Sequence, residues 1–138
     1  MSEEKAGNES KRWLLTAIDD LDTAKILLEN NRYPASCFHS QQTGEKALKA
    51  VIYRFNGDPW GHSLVRLLEE VRSIDKHTAR FSTLKKEAMA LDRFYIPTRY
   101  PDGLPDITPS EAYNQDDAKL AFAFAKKFIV AAKEAIEA

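Results

Sequence analysis

A chain of 138 residues with 43% hydrophobic and 30% charged side chains can close one core without staples, and its composition excludes general disorder. Its 20 Lys and Arg against 21 Asp and Glu leave a net charge of −1, which excludes a global basic field for nucleic acid, so phosphate contacts have to come from a local cluster. The single cysteine, Cys37, excludes an internal disulfide, no apolar run approaches the roughly 20 residues that span a bilayer, and Met1 to Ser10 lacks the apolar core of a signal peptide; a cytoplasmic protein without membrane contact is expected.

Residues 1–8 read as a flexible tail of a single 138-residue domain. A first helix is predicted from about Glu9 to Asn30, where Trp13, Leu14, Ala17, Ile18, Leu21, Ala24, Leu27 and Leu28 recur at three- and four-residue steps. Asn30-Asn31 ends it, and Pro34 opens the second helix, where its missing N–H costs nothing. That helix runs to Phe55 and stops at Asn56-Gly57-Asp58-Pro59, with Gly57 able to turn left-handed. A third helix covers about His62 to Ile74, with Leu64, Leu67, Leu68 and Val71 inside. A fourth, about Thr78 to Tyr95, buries Phe81, Leu84, Ala88 and Leu91. Ile96 to Pro109, punctuated by Pro97, Pro101, Gly103 and Pro105, is too broken for a helix. The last helix spans about Asn114 to Glu137, with Leu120, Ala121, Phe124, Ala125, Phe128, Ala132 and Ile136 on its inner face. No segment alternates with a two-residue period. The expected architecture is all-α, a five-helix up-and-down bundle.

Polar side chains interrupt the apolar stripe of the second helix. At 100° per residue Gln41 falls within the sector of Cys37, Gly44, Leu48, Val51, Ile52 and Phe55, Glu45 sits at its edge, and Gln42 and Lys49 flank it. A buried amide or carboxylate needs partners, since leaving one unpaired costs about 1–3 kcal/mol or more. Those partners are neighbouring helices or a dimer seam on one reading, and a ligand in a polar groove rimmed by Lys46 and Lys49 on the other. Glu45 and Lys49 also have the favourable spacing of a surface ion pair. In the irregular stretch Arg93, Tyr95, Thr98, Arg99, Tyr100 and Asp102, with Tyr113 beyond, combine a forked phosphate donor with rings that stack on bases. The opposing reading makes Tyr100 a cap on the core and pairs Arg99 with a carboxylate. His39, His62 and His77 lack metal-site spacing, there is no phosphate loop, and no metal or cofactor is expected.

Gln41-Gln42-Thr43-Gly44-Glu45-Lys46-Ala47-Leu48-Lys49-Ala50 resembles the QQAxEKxLKA signature on the second helix of HEPN domains. Tyr95-Ile96-Pro97-Thr98-Arg99-Tyr100-Pro101-Asp102 resembles their YIxTRYPD element. The opening helix and His62-Ser63-Leu64 are similar as well, so the likeness spans nearly the whole chain. The resemblance implies a helical bundle that dimerises, a minimal nucleotidyltransferase partner in a toxin–antitoxin-like pair, and a nucleotide-binding role. Many family members are metal-independent ribonucleases with an R-x4-6-H motif. Arg72 to His77 and Arg32 to His39 satisfy that spacing, but away from the late helices where the motif is expected.

The favoured expectation is therefore a dimeric module binding nucleotide or RNA phosphate. Lys46, Lys49 and Arg99 supply charge, Tyr100 and Tyr113 stacking, and Gln41, Gln42 and Glu45 orienting hydrogen bonds. The alternatives are a ribonuclease toxin acting through Arg72 and His77, or a purely structural dimerisation domain.

Overall fold

The computed structural model describes residues 2–74 and 76–137, with the side chains of residues 76–78 left aside. Its α-helices are α1 (Glu3–Glu29), α2 (Tyr33–Arg54), α3 (Leu64–Arg72), α4 (Lys85–Asp92), α5 (Pro109–Ala112) and α6 (Gln115–Glu137). Short 3-10 helices occupy Lys76–Thr83 and Pro101–Gly103. Among the described residues there is no strand, and the expected all-helical bundle is present, with five substantial helices and the one-turn α5.

α2 is the central element. It is flanked by α1 and α6 on one side and by α3 and α4 on the other, which is why nearly its whole circumference is buried. Small residues let α1 and α2 approach closely: Ala17, Ala24, Ala47 and Ala50 are buried, and Ser10 and Ser36 donate 2.7 Å hydrogen bonds to the carbonyls of Ala50 and Ala24. Those serines thus enter the seam with their hydroxyls satisfied. Leu48, Ile52, Leu64, Leu67, Leu68, Val71, Phe81, Leu91 and Phe128 form the middle of one continuous core.

Boundaries differ from the periodic reading where capping decides them. α1 starts at Glu3, because Ser2 Oγ accepts from Lys5 N at 3.2 Å and Glu3 and Glu4 complement the helix dipole. Residues 3–8, expected as a tail, are therefore helical, and Ala6 is buried. The fourth helix, expected from Thr78 to Tyr95, is divided into a 3-10 segment and a shorter α4. Ser82 and Thr83 hydroxyls donate to the carbonyls of Ala79 and Arg80, an alternative to the α-helical ladder that breaks it at this point. At its other end Pro97 disfavours helical backbone at Ile96. After α2 it is Asn56, with φ 67°, and not Gly57 that turns left-handed. Gly57 is needed for closeness instead: its N–H donates to the Ile52 carbonyl, and a Cβ there would lie 2.6 Å from Ile52 Cγ2. On α6, Leu120 is exposed and Ile129 takes a place in the core.

Candidate functional site

The stripe Phe38, Gln42, Glu45 and Lys49 runs along α2 and is completed by residues from the loops before α3 and after α4. Glu45 is its hub. Its carboxylate accepts from Lys49 Nζ at 3.1 Å, from Gln41 Nε2 at 3.3 Å and from Gln42 Nε2 at 3.4 Å, and His62 Nδ1 lies 3.2 Å and 3.3 Å from its two oxygens. Gln41 Nε2 also donates to the His62 carbonyl, and its oxygen accepts from Gln42 at 2.7 Å. Glu45 and Lys49 side chains are only 4% and 9% exposed, so the pair expected from their spacing is a buried one. A carboxylate so deeply placed is tolerated because donors surround both of its oxygens. It also fixes the tautomer of His62: Nδ1 carries the proton, and the outer nitrogen is left without a protein partner among the described residues.

His62 is thereby held while its side chain stays 58% exposed. Its ring stacks on Tyr95 at 4.7 Å and 19°. Arg99, four residues beyond Tyr95 in the turn that follows α4, donates from Nε to the Tyr95 carbonyl at 3.0 Å. Its guanidinium carbon lies 4.4 Å from the ring centre of Phe38, 4.9 Å from that of Tyr95 and 5.2 Å from that of Tyr100. Among the described residues Arg99 has no carboxylate partner, and Tyr100 is half exposed instead of capping the core. The forked face of the guanidinium is thus presented to solvent on an aromatic bed, the arrangement suited to an oxyanion.

A second cluster adjoins along α2. Asp20 accepts from Lys46 Nζ at 2.7 Å and lies 3.1 Å from His39 Nδ1. Burial pushes the Asp20 carboxyl up, but the hydrogen bonds and positive charge of His39 and Lys46 outweigh it and hold it below its ordinary value. Lys49 Nζ also stands 5.4 Å from the Trp13 ring, which stacks on Tyr53 at 5.6 Å. Glu9, Arg12, Trp13, Thr16 and Lys46 line a groove of about 260 Å³ between the two helices.

The structure therefore brings together Gln41, Gln42, Glu45 and Lys49, places Lys46 one strip over, and sets Arg99 and Tyr100 beside them through Phe38 and Tyr95. Tyr113 stands apart: it packs edge-on against Phe94 at 5.7 Å, and burial, with the nearby Cys37 and Asp117, raises its hydroxyl pKa. Burial and the charge of Asp117 push the Cys37 thiol up to about 12, which keeps it protonated and unreactive. Arg72 is exposed at the end of α3, and the His77 side chain lies outside the described residues. Sequence reading missed the roles of His62 and Phe38. The i, i+4 spacing of Tyr95 and Arg99 was available as a signal; the meeting of His62 with Glu45 across 17 residues had none.

A larger concavity than the groove beside Lys46, about 790 Å³, lies elsewhere, between Lys76–Thr83, α4 and α6. It contains none of the site residues singled out from sequence. Its Arg80 is tied to Glu134, and its Lys127 lies 3.4 Å from Glu87. Size alone does not outweigh the convergence of polar groups on α2.

Residues 10–135 match the family described as HEPN domain. A candidate toxin of Methanocaldococcus jannaschii, MJ1304, is 32% identical over 117 residues, covering 80% of this chain and 76% of that protein. The crystal structure of TT1696 from Thermus thermophilus superposes with a TM-score of 0.85 at 32% identity, over 93% of this chain and 98% of the other. That of ST0689, an archaeal HEPN homologue, gives 0.75 at 29% identity, over 93% and 98%.

Proposed function

Since the chain belongs to the HEPN domain family, we propose that it is the toxin-like half of a two-component pair, and that its α2 face binds the phosphate of a nucleotide or RNA. The observation that carries this reading is Arg99: an exposed guanidinium bedded on Phe38, Tyr95 and Tyr100, free of any carboxylate among the described residues, beside the His62–Glu45 pair. Lys46 and Lys49 contribute field more than direct contact, because Asp20 and Glu45 already hold them. Gln41 is fully buried and positions Glu45 and the His62 backbone, while the half-buried Gln42 remains able to turn toward a ligand.

The toxin-like role rests on the relative named above as a candidate toxin. A minimal nucleotidyltransferase as partner, a homodimer as the working unit and a cytoplasmic setting rest on the family resemblance. No helix among the described residues is long and apolar enough to cross a membrane.

Thermal unfolding with a panel of nucleotides and short RNAs tests the phosphate site. A ligand at about 100 times its dissociation constant stabilises by about 2.7 kcal/mol. In a domain of this size that raises the midpoint by several degrees, at roughly 2–8 °C per kcal/mol. The rise should disappear in Arg99→Ala when measured against that variant's own ligand-free midpoint. A rise that survives intact in that variant would remove Arg99 from the site, and no rise with any ligand would overturn the reading.

A further inference from the structure

Trp60 is 87% exposed, more than any other large hydrophobic side chain among the described residues. The loop that carries it is pinned on both sides. On one side Asn56 turns left-handed, Gly57 N–H donates to the Ile52 carbonyl at 2.8 Å, and Pro59 is buried. On the other, Gly61 adopts φ 93°, the His62 carbonyl accepts from Gln41, and Ser63 Oγ donates to Asp92 at 2.9 Å. An indole at the tip of a held loop gives up no apolar contact by moving, and gains none by folding. Folding alone does not account for a tryptophan here.

Its neighbours suggest what does. Gly61 alone separates Trp60 from His62, whose ring stacks on Tyr95, and Arg99 lies over the same Tyr95. Trp60 thus stands two residues along the chain from a rim formed by His62, the half-buried Tyr95, Arg99 and Tyr100, in which a cation lies among aromatic rings. Every base has a face that stacks on such rings, and the spacing repeats along a strand. A free mononucleotide offers one base and phosphates at one end. A strand offers a phosphate to Arg99 and, further along, a base to Trp60.

We propose that Trp60 is a base-stacking platform and His62 the polar contact between it and Arg99, so that the occupant of this rim is a segment of single-stranded nucleic acid in preference to a mononucleotide. The inference rests on the phosphate-binding reading of Arg99 and adds to it the length and class of the ligand. A protein partner is the competing occupant, since Trp, Tyr and Arg also dominate protein interfaces. The unpaired guanidinium and the outward imidazole nitrogen favour a strand that carries phosphates.

The test is fluorescence anisotropy of labelled oligouridylate and oligothymidylate hexanucleotides at low salt, with UMP as competitor, on wild type, Arg99→Ala, Trp60→Ala and Trp60→Phe. Size-exclusion chromatography with light scattering follows the mass of each variant. Trp60→Ala should weaken hexanucleotide binding about 10-fold, equivalent to about 1.4 kcal/mol, without changing the UMP competition constant, and Trp60→Phe should recover part of it. Hexanucleotide binding that needs Arg99 but is unchanged in Trp60→Ala would overturn the inference and leave the phosphate site standing. If neither hexanucleotides nor UMP bind the wild type, the phosphate reading fails first and this one with it. A loss of oligomer mass in Trp60→Ala with binding intact would make the indole a protein contact and equally overturn the proposal.

Discussion

Two carboxylates organise the polar face, and they differ in how they are protected. Glu45 is buried under four donors, whereas Asp20 is reached mainly by Lys46 and His39 from α2. Because the Asp20 pKa is lower in the folded chain than its ordinary value of 3.8, the folded state binds fewer protons than the unfolded one as pH falls toward that value. The stabilisation is thus fully present above the unfolded pKa and is lost as pH drops through the lower, folded one. Asp20→Asn should cost about 1–2 kcal/mol in urea unfolding at pH 7, the range of a hydrogen-bonded, partly buried ion pair. Below the unfolded value the difference from wild type should shrink toward zero, because the wild-type side chain then approaches the neutral amide it is compared with. A gap that stays constant into acid would mean that Asp20 contributes through shape and not through charge.

At the level of elements, Asp92 shows how one helix end serves another. It is the last residue of α4, where the helix dipole disfavours a negative charge. Its carboxylate instead serves the start of α3, accepting from Leu64 N at 2.6 Å, Val65 N at 3.1 Å and Ser63 Oγ at 2.9 Å. Ser63 itself caps Arg66 N, so two side chains satisfy α3's first donors. Asp92→Ala should therefore destabilise by about 2 kcal/mol and lower the midpoint by about 4–8 °C in calorimetry. A shift below about 1 °C would show that water replaces it without loss. Sequence periodicity located α3 well, since Leu64, Leu67, Leu68 and Val71 are all buried, and it located the proline-rich break. It missed what hydrogen bonds between side chain and backbone decide: the early start of α1 at Ser2, the division at Ser82 and Thr83, and the cross-helix cap from Asp92. Such bonds depend on one or two atoms and leave no period behind.

Across the whole molecule charge is balanced, and on the polar face both lysines are paired, which limits how a nucleic acid can be held. The polar stripe of α2 was legible in sequence because amides and a carboxylate among apolar positions break the helical pattern, yet its meaning was not. Whether Lys46 and Lys49 faced a ligand or a carboxylate depended on Asp20, 26 residues away from Lys46, and on the burial of Glu45. With both lysines neutralised at 2.7 Å and 3.1 Å, Arg99 is the cation in the cluster with no carboxylate of its own among the described residues. The net charge of −1 adds no long-range pull. Binding of a single strand should then release few counterions, and the slope of log K against log salt should be about −0.7, the value for one phosphate neutralised on single-stranded nucleic acid. A slope of about −2, measured by anisotropy across a roughly tenfold range of potassium chloride, would mean that Lys46 and Lys49 leave their carboxylates to meet the strand. In that case Lys46→Ala and Lys49→Ala should each flatten the slope by about 0.7. A shallow slope insensitive to both lysines would instead locate the electrostatic part of recognition at Arg99, with stacking supplying the remainder.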